Sequence, residues 1–212
     1  MSWLSELYEF IFGQYRDYSS LELTLELIAA GAGVISVFFS YFNKVLVYPF
    51  GLLSTAIFVY LLYQWELPGD LIINAYYFIM SIYGWYNWTS NLGEKAIEVT
   101  KVSNLEWQKS AGLFAVSAAG VYGVYVGFGM LNGFINYLDI ITTGIAFVGM
   151  WLMALRKLEH WLVLLAANLI SIPLYFIKGY SFTAFLYIFL AVMAYLGYRE
   201  WRKQHFKKNL MA

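Results

Sequence analysis

The sequence predicts an all-α integral membrane protein of seven transmembrane helices, arranged three plus one plus three as a parallel repeat. Three observations carry this. The 212 residues are 61% hydrophobic and only 12% charged, far from the roughly 25% charged residues usual for a soluble domain. Seven apolar runs long enough for a bilayer core, about 20 helical residues for about 30 Å, are separated by polar breaks. The first three runs superimpose on the last three at a constant shift of 113 positions.

In chain order, Met1 to Ser20 lacks the basic start and apolar core of a cleavable leader and carries Glu6, Glu9, Arg16 and Asp17. Trp3, Leu7, Phe10 and Ile11 fall at helical spacing, which reads as a surface amphipathic helix, with a disordered tail as the alternative. The spans follow at Leu21 to Phe42, Val45 to Trp65, Leu71 to Thr89, Ser110 to Leu131, Ile140 to Leu155, Trp161 to Ile177 and Phe182 to Tyr198. This organises the chain into an amphipathic segment (1–20), a first three-helix unit (21–89), a loop with a linker helix (90–138), a second three-helix unit (139–201) and a basic tail (202–212).

The breaks sort the charge. Arg16 and Lys178 are the basic residues on one side, against eleven on the other: Lys44, Lys95, Lys101, Lys109, Arg156, Lys157, Arg199, Arg202, Lys203, Lys207 and Lys208. The positive-inside rule makes the second side cytoplasmic, with the N-terminus outside and the C-terminus inside.

At the 113-residue shift Glu26 meets Asp139, Gly31 meets Gly144, Lys44 meets Lys157, Leu61 meets Leu174, Met80 meets Met193, Gly84 meets Gly197 and Trp88 meets Trp201. A constant register through charges, glycines and a tryptophan is the mark of duplication. Two three-helix units joined directly would point in opposite directions, and the fourth span restores a common orientation. In transporters built from parallel repeats the solute sits near the midplane between halves. Within the fourth span, Ala115, Ala119, Gly123 and Gly127 make a small-residue stripe, read either as packing within the monomer or as an oligomer contact. Pro173 falls inside the sixth span and frees the carbonyl of Leu169, while its repeat partner is Tyr60, so the halves are not equivalent. Pro49, at the start of the second span, reads as structural.

Several chemistries are excluded. There is no cysteine, no Gly-x-x-x-x-Gly-Lys-Ser/Thr loop and no Gly-x-Ser-x-Gly elbow. His160 and His205 lack zinc-ligand spacing and read as surface residues. Glu22, Glu26, Asp70, Asp139 and His160 all fall at span ends, so no carboxylate pair is placed for acid–base work and no proton relay lies deep in the bundle. A solute pocket without charge, cofactor or metal is therefore expected; sodium held by backbone carbonyls would leave no mark in the sequence. The informative groups are neutral. Asn74, Tyr77, Ser81, Trp85 and Trp88 follow one stripe of the third span, and Trp161, Asn168 and Tyr175 share a face of the sixth. A buried amide is costly without a partner, so Asn168 serves either a solute or an interhelical hydrogen bond. Asn74 and Gln64 face the same choice nearer the outer end. Trp88 and Trp201, at the cytoplasmic boundary, fit an aromatic belt.

Residues 81 to 88, Ser-Ile-Tyr-Gly-Trp-Tyr-Asn-Trp, resemble the signature of the PnuC family of bacterial vitamin transporters. The resemblance continues through Gln64, Asp139, Arg156-Lys157-Leu-Glu159-His-Trp161, Asn168, Tyr187 and Gly197 to Trp201, from about Ala29 to Lys203. It implies facilitated diffusion of nicotinamide riboside across the bacterial cytoplasmic membrane, trapping by a separate kinase, a fold related to the SWEET sugar transporters, and a homotrimer. Thiamine and riboflavin are carried by similar proteins. Trp85, Tyr83 or another aromatic would then cover the pyridinium ring, and Asn168 with Gln64 or Asn74 would bond the carboxamide and ribose. Tyr175 and Tyr187 complete the expected site with Tyr77 and Trp88. A receptor or an intramembrane enzyme is the contrasting class.

Overall fold

The computed structural model describes residues 3, 6, 13, 18–90, 98–131 and 133–209. The N-terminal amphipathic segment therefore lies almost wholly outside the described residues. Those described form seven helices: α1 Ser20–Tyr41, α2 Val47–Gln64, α3 Pro68–Thr89, α4 Asn104–Gly127, α5 Phe134–Ala154, α6 His160–Ile177 and α7 Ser181–Asn209. Six are long and apolar enough to cross a membrane. The exception is α3, which carries Asp70, Asn74, Ser81 and Asn87.

Local chemistry sets the helix ends. Ser19 caps α1 and Ser103 caps α4, each in a capping box with the glutamate three residues on, Glu22 and Glu106. The second box starts α4 six residues before the apolar run that marks it in the sequence. At the other end of the chain, α7 continues unbroken through the first eight residues of the basic tail. Proline opens α3 at its first position, where no N–H is needed.

The 113-residue register recurs in the backbone. Helices α1, α2 and α3 have α5, α6 and α7 as counterparts, with Val47–Gln64 mapping onto His160–Ile177 residue for residue. Asn43 and Arg156 both take left-handed backbone, φ 57° and 58°, as do Glu66 and Gly179 at 55° and 83°. Each follows a helix and completes a Schellman closure; Lys44 N–H donates to Phe39 O and Lys157 N–H to Leu152 O, both at 2.9 Å. Glycine is the ordinary residue for such a position. Arg156 is held there by its own side chain, which donates from Nε to Asn43 Oδ1 at 2.7 Å and from Nη2 to Asn43 O at 3.1 Å. Residues 113 positions apart thus touch each other.

Packing obeys the same pairing. α1 lies against α2 and α2 against α3, as α5 lies against α6 and α6 against α7; across the halves α3 meets α5 and α1 meets α7. Gly84 leaves room for the Tyr48 ring, whose atoms lie 2.4–2.6 Å from where a Cβ would stand. Its counterpart Gly197 does the same for the Trp161 indole at 2.5–2.7 Å. α4 leans on α5 and, less, on α3. Its Ala115, Ala119, Gly123 and Gly127 are exposed, and an added Cβ at Gly120, Gly123 or Gly127 would meet nothing. The small-residue stripe therefore faces out of the chain and is not a packing surface within it.

Candidate functional site

The six helices of the two halves enclose a cavity of about 360 Å³, within the range of small-molecule sites. No residue of α4 lines it. One end is the Asp70 end, where the turns 65–67 and 178–180 meet the starts of α3 and α7. The other, the Trp201 end, is closed by aromatic packing.

The α6 stripe is where its seven-residue spacing puts it. Trp161, Asn168 and Tyr175 all line the cavity. Asn168 is 9% exposed and its amide makes no hydrogen bond to any described residue. Its repeat counterpart Thr55 is satisfied, donating back to Gly51 O at 2.7 Å. From α3, Asn74, Tyr77 and Ser81 line the cavity, as does Tyr187 of α7. Asn74 has spent one donor on Asp70 O at 3.0 Å. Tyr175 and Tyr187 stack with centroids 5.0 Å apart.

Four expected residues lie elsewhere. Gln64 is exposed at the end of α2; its neighbour Trp65 lines the mouth instead. Tyr83 and Trp85 are 42% and 40% exposed on the outer face of α3. At that level the contact between α2 and α3 runs through Gly84 against Tyr48, which turns its neighbours outward. Trp88 is buried below the cavity, not within it, and neither it nor Trp201 forms a lipid-facing belt: they are 4% and 0% exposed. Their indoles donate to Ala154 O at 3.2 Å and Ser40 O at 3.0 Å, each across to the opposite half.

His160 is also buried, 0% exposed. The basic loop places it at the first turn of α6, where Trp161 and Trp201 close over it at 4.5 and 4.7 Å. Its Nδ1 lies 2.7 Å from Lys157 O. A carbonyl only accepts, so Nδ1 carries the proton. The Arg156 guanidinium lies 4.2 Å over the Trp88 ring; burial pushes its pKa below the ordinary arginine value. Tyr48 Oη, His160 Nε2 and Trp161 Nε1 are buried here without a hydrogen-bond partner among the described residues.

The cavity is not free of charge, contrary to the sequence expectation. Glu26, Asp70 and Asp139 line it, because end carboxylates from three different helices converge on one mouth. Asp139 pairs with Lys178 Nζ at 2.6 Å and accepts from Tyr125 Oη at 3.4 Å. Asp70 accepts from Tyr175 Oη. Spacing along one helix could not reveal this convergence, and the Asp139–Lys178 pair joins α5 to the turn after α6. Among the described residues no group of three acidic or histidine side chains is placed to hold a metal ion.

Membrane-length helices closed around a solute-sized cavity, lined by aromatics, hydroxyls and one unpaired amide, define a multi-pass membrane transporter. The comparisons with known proteins narrow the class. A family model described as the nicotinamide mononucleotide transporter matches residues 23–203, and the chain belongs to that family, the PnuC-type vitamin transporters. It is 24% identical to the nicotinamide riboside transporter PnuC of Escherichia coli strain K12 over 84% of each chain. It is equally 24% identical to the riboflavin/roseoflavin transporter RibM of Streptomyces davaonensis over 95% of this chain and 92% of that one. Identity to PnuC of Neisseria mucosa is 26%, over 84% and 72%. A crystal structure of the vitamin B3 transporter PnuC shares the fold, with a TM-score of 0.67 and 24% identity over 95% of this chain and 89% of that one. These relatives are transporters, not enzymes.

Proposed function

We propose that the chain carries nicotinamide riboside across the bacterial cytoplasmic membrane by facilitated diffusion, and that a separate kinase traps the solute inside. The observation that carries this is the Asn168 amide, nine-tenths buried, unpaired and beside the cavity. A buried amide stays unpaired at a cost of about 1–3 kcal/mol, which a solute carboxamide or hydroxyl removes. Tyr77, Trp161 and Tyr187 supply the ring surface first assigned to Trp85 and Tyr83. The Asp70 carboxylate at the mouth favours a pyridinium cation over a neutral ring, whereas the charge of Asp139 is taken up by Lys178.

All seven helices span, α3 included, because Asp70, Asn74 and Ser81 face the cavity and Asn87 donates to Ala154 O, which keeps these groups from lipid. The halves form a three plus one plus three parallel repeat about an axis along the membrane normal. The N-terminus lies outside and the C-terminus in the cytoplasm, on the side of the eleven basic residues. Rocking of the halves alternates access. The three partnerless polar atoms among the Trp201-end aromatics lower the cost of opening there, since water satisfies them. The exposed stripe of α4 supports a homotrimer contact. A riboflavin-carrying reading is favoured by one observation, the equal identity to the Streptomyces relative.

Purified protein in liposomes, given labelled nicotinamide riboside, thiamine or riboflavin, tests the proposal. Nicotinamide riboside is expected to equilibrate to equal concentrations inside and out, unaffected by sodium or proton gradients. Accumulation above equilibrium under either gradient would overturn uncoupled transport. Riboflavin flux alone would establish the second reading, and binding without flux would make the protein a receptor.

A further inference from the structure

At three positions the two walls of the cavity differ in chemistry although they are repeat-equivalent. On the first half, beside Ser40, the cavity is lined by Ser36, Ser54 and Ser81 from α1, α2 and α3. Their counterparts at the 113-residue shift are Gly149, Ala167 and Ala194, which bring no polar side-chain atom. Ser36 is committed as a donor to Val47 O at 2.7 Å. Ser54 and Ser81 are not committed. They are 6% and 2% exposed, and neither hydroxyl hydrogen-bonds a described residue. Serine in a helix ordinarily satisfies itself on the carbonyl one turn back, as Ser117 does on Leu113 O at 2.8 Å. Two buried hydroxyls that decline this bond while facing a cavity are set for an external partner.

Gly51 keeps that space open. Ser36 Oγ and Ser81 Oγ each lie 3.3 Å from where a Gly51 Cβ would stand, so both border a gap that any side chain there would narrow. A hydroxyl both donates and accepts, so Ser81 beside Gly51 and Ser54, one helical turn along α2 from Gly51, each match a solute hydroxyl, which also does both. Opposite stand Leu164, Ala167, Met150 and Ala194, with the polar groups of that wall at Asn168, at Ser171 one turn along α6, and at Thr142 and Thr183.

We infer that Ser54 and Ser81 form a subsite that reads the polyol part, ribose or ribityl, of a solute joining a flat ring to a hydroxylated chain. The ring lies toward the α5–α7 wall and Asn168, and the hydroxyls lie toward Gly51. This rests on the proposed vitamin-transport reading and deepens it: solutes are selected for their hydroxyls as well as their ring.

The test is calorimetric binding by the purified full chain and a Ser54→Ala/Ser81→Ala variant. The probes come in pairs, nicotinamide riboside with its 2′-deoxy and 3′-deoxy forms, and riboflavin with lumiflavin, which lacks the ribityl chain. Each lost neutral hydrogen bond weakens binding about 2–12-fold. The parent is therefore expected to prefer the hydroxylated member of one pair by about tenfold, and the pair that responds distinguishes ribose from ribityl. In the variant the preference is expected to shrink to about twofold. Because the deoxy probes measure the same contact on the parent, a poorly folding variant does not remove the test. A parent without any preference, or a variant that keeps it in full, overturns the subsite while leaving vitamin transport standing. A parent that binds none of the probes overturns both.

Discussion

Asn168→Leu is expected to weaken vitamin binding by about 10–100-fold while leaving the protein folded and inserted. Leucine matches the amide in size, so the packing of α6 changes little. What is lost is the polar partner for a solute group that leaves water, and a buried group stranded without its bond costs about 1–3 kcal/mol. An interhelical role would give the opposite pattern, because removing such a bond lowers stability and leaves affinity alone. The geometry separates these roles: the Asn168 amide bonds no described residue, whereas Thr55 at the equivalent position closes on its own helix. Titration calorimetry beside a melting curve in detergent reads both quantities. Parent-like affinity with a lowered melting temperature would assign Asn168 to the scaffold.

Trp201→Ala is expected to have the largest effect on stability, about 3–5 kcal/mol, as for other fully buried tryptophans. The Trp201 side chain is 0% exposed, packs edge-on against Trp161 at 5.8 Å and lies 6.1 Å from Trp88. It also caps a carbonyl of the opposite half, Ser40 O at 3.0 Å. Trp201→Phe keeps most of the packing and loses the N–H, so it should cost nearer 1 kcal/mol. The fraction of protein that stays monodisperse after heating ranks parent, Phe and Ala in that order. Equal survival of Ala and parent would mean that the aromatic cluster is not what joins the halves at this end.

The helix boundaries were legible because one fixed register relates the first three helices to the last three. The shift that aligns Lys44 with Lys157 and Gly84 with Gly197 also aligns the helix ends and the left-handed turns at Asn43 and Arg156. Along a single helix, spacing placed Trp161, Asn168 and Tyr175 on the cavity because α6 is regular across that stretch. Spacing failed for Trp85 and Tyr83, where the close approach of Tyr48 to Gly84 decides which way α3 faces. It failed again for charge. Glu26, Asp70 and Asp139 are far apart in sequence and each reads as an ordinary helix-end carboxylate, and only the meeting of three helices at one mouth makes them part of the site. His160 looked exposed beside Arg156 and Lys157, but the indoles of Trp161 and Trp201 enclose it. Ser54 carries no sequence signal at all, since serine is common in membrane helices, and Ser81, although on the α3 stripe, shows only in the structure that its hydroxyl makes no bond.

The central claim is that solute crosses through the cavity between the halves, which opens to each side in turn. Because the chain has no cysteine, one introduced thiol is the only thiol in the molecule. Ala167 is 4% exposed, lines the cavity and is the counterpart of Ser54, so Ala167→Cys places the probe at the midpoint. In oriented vesicles a membrane-impermeant thiol reagent is predicted to label it from either side, to block vitamin flux, and to be slowed by saturating vitamin. Labelling that leaves flux intact, or that vitamin does not slow, would contradict the account.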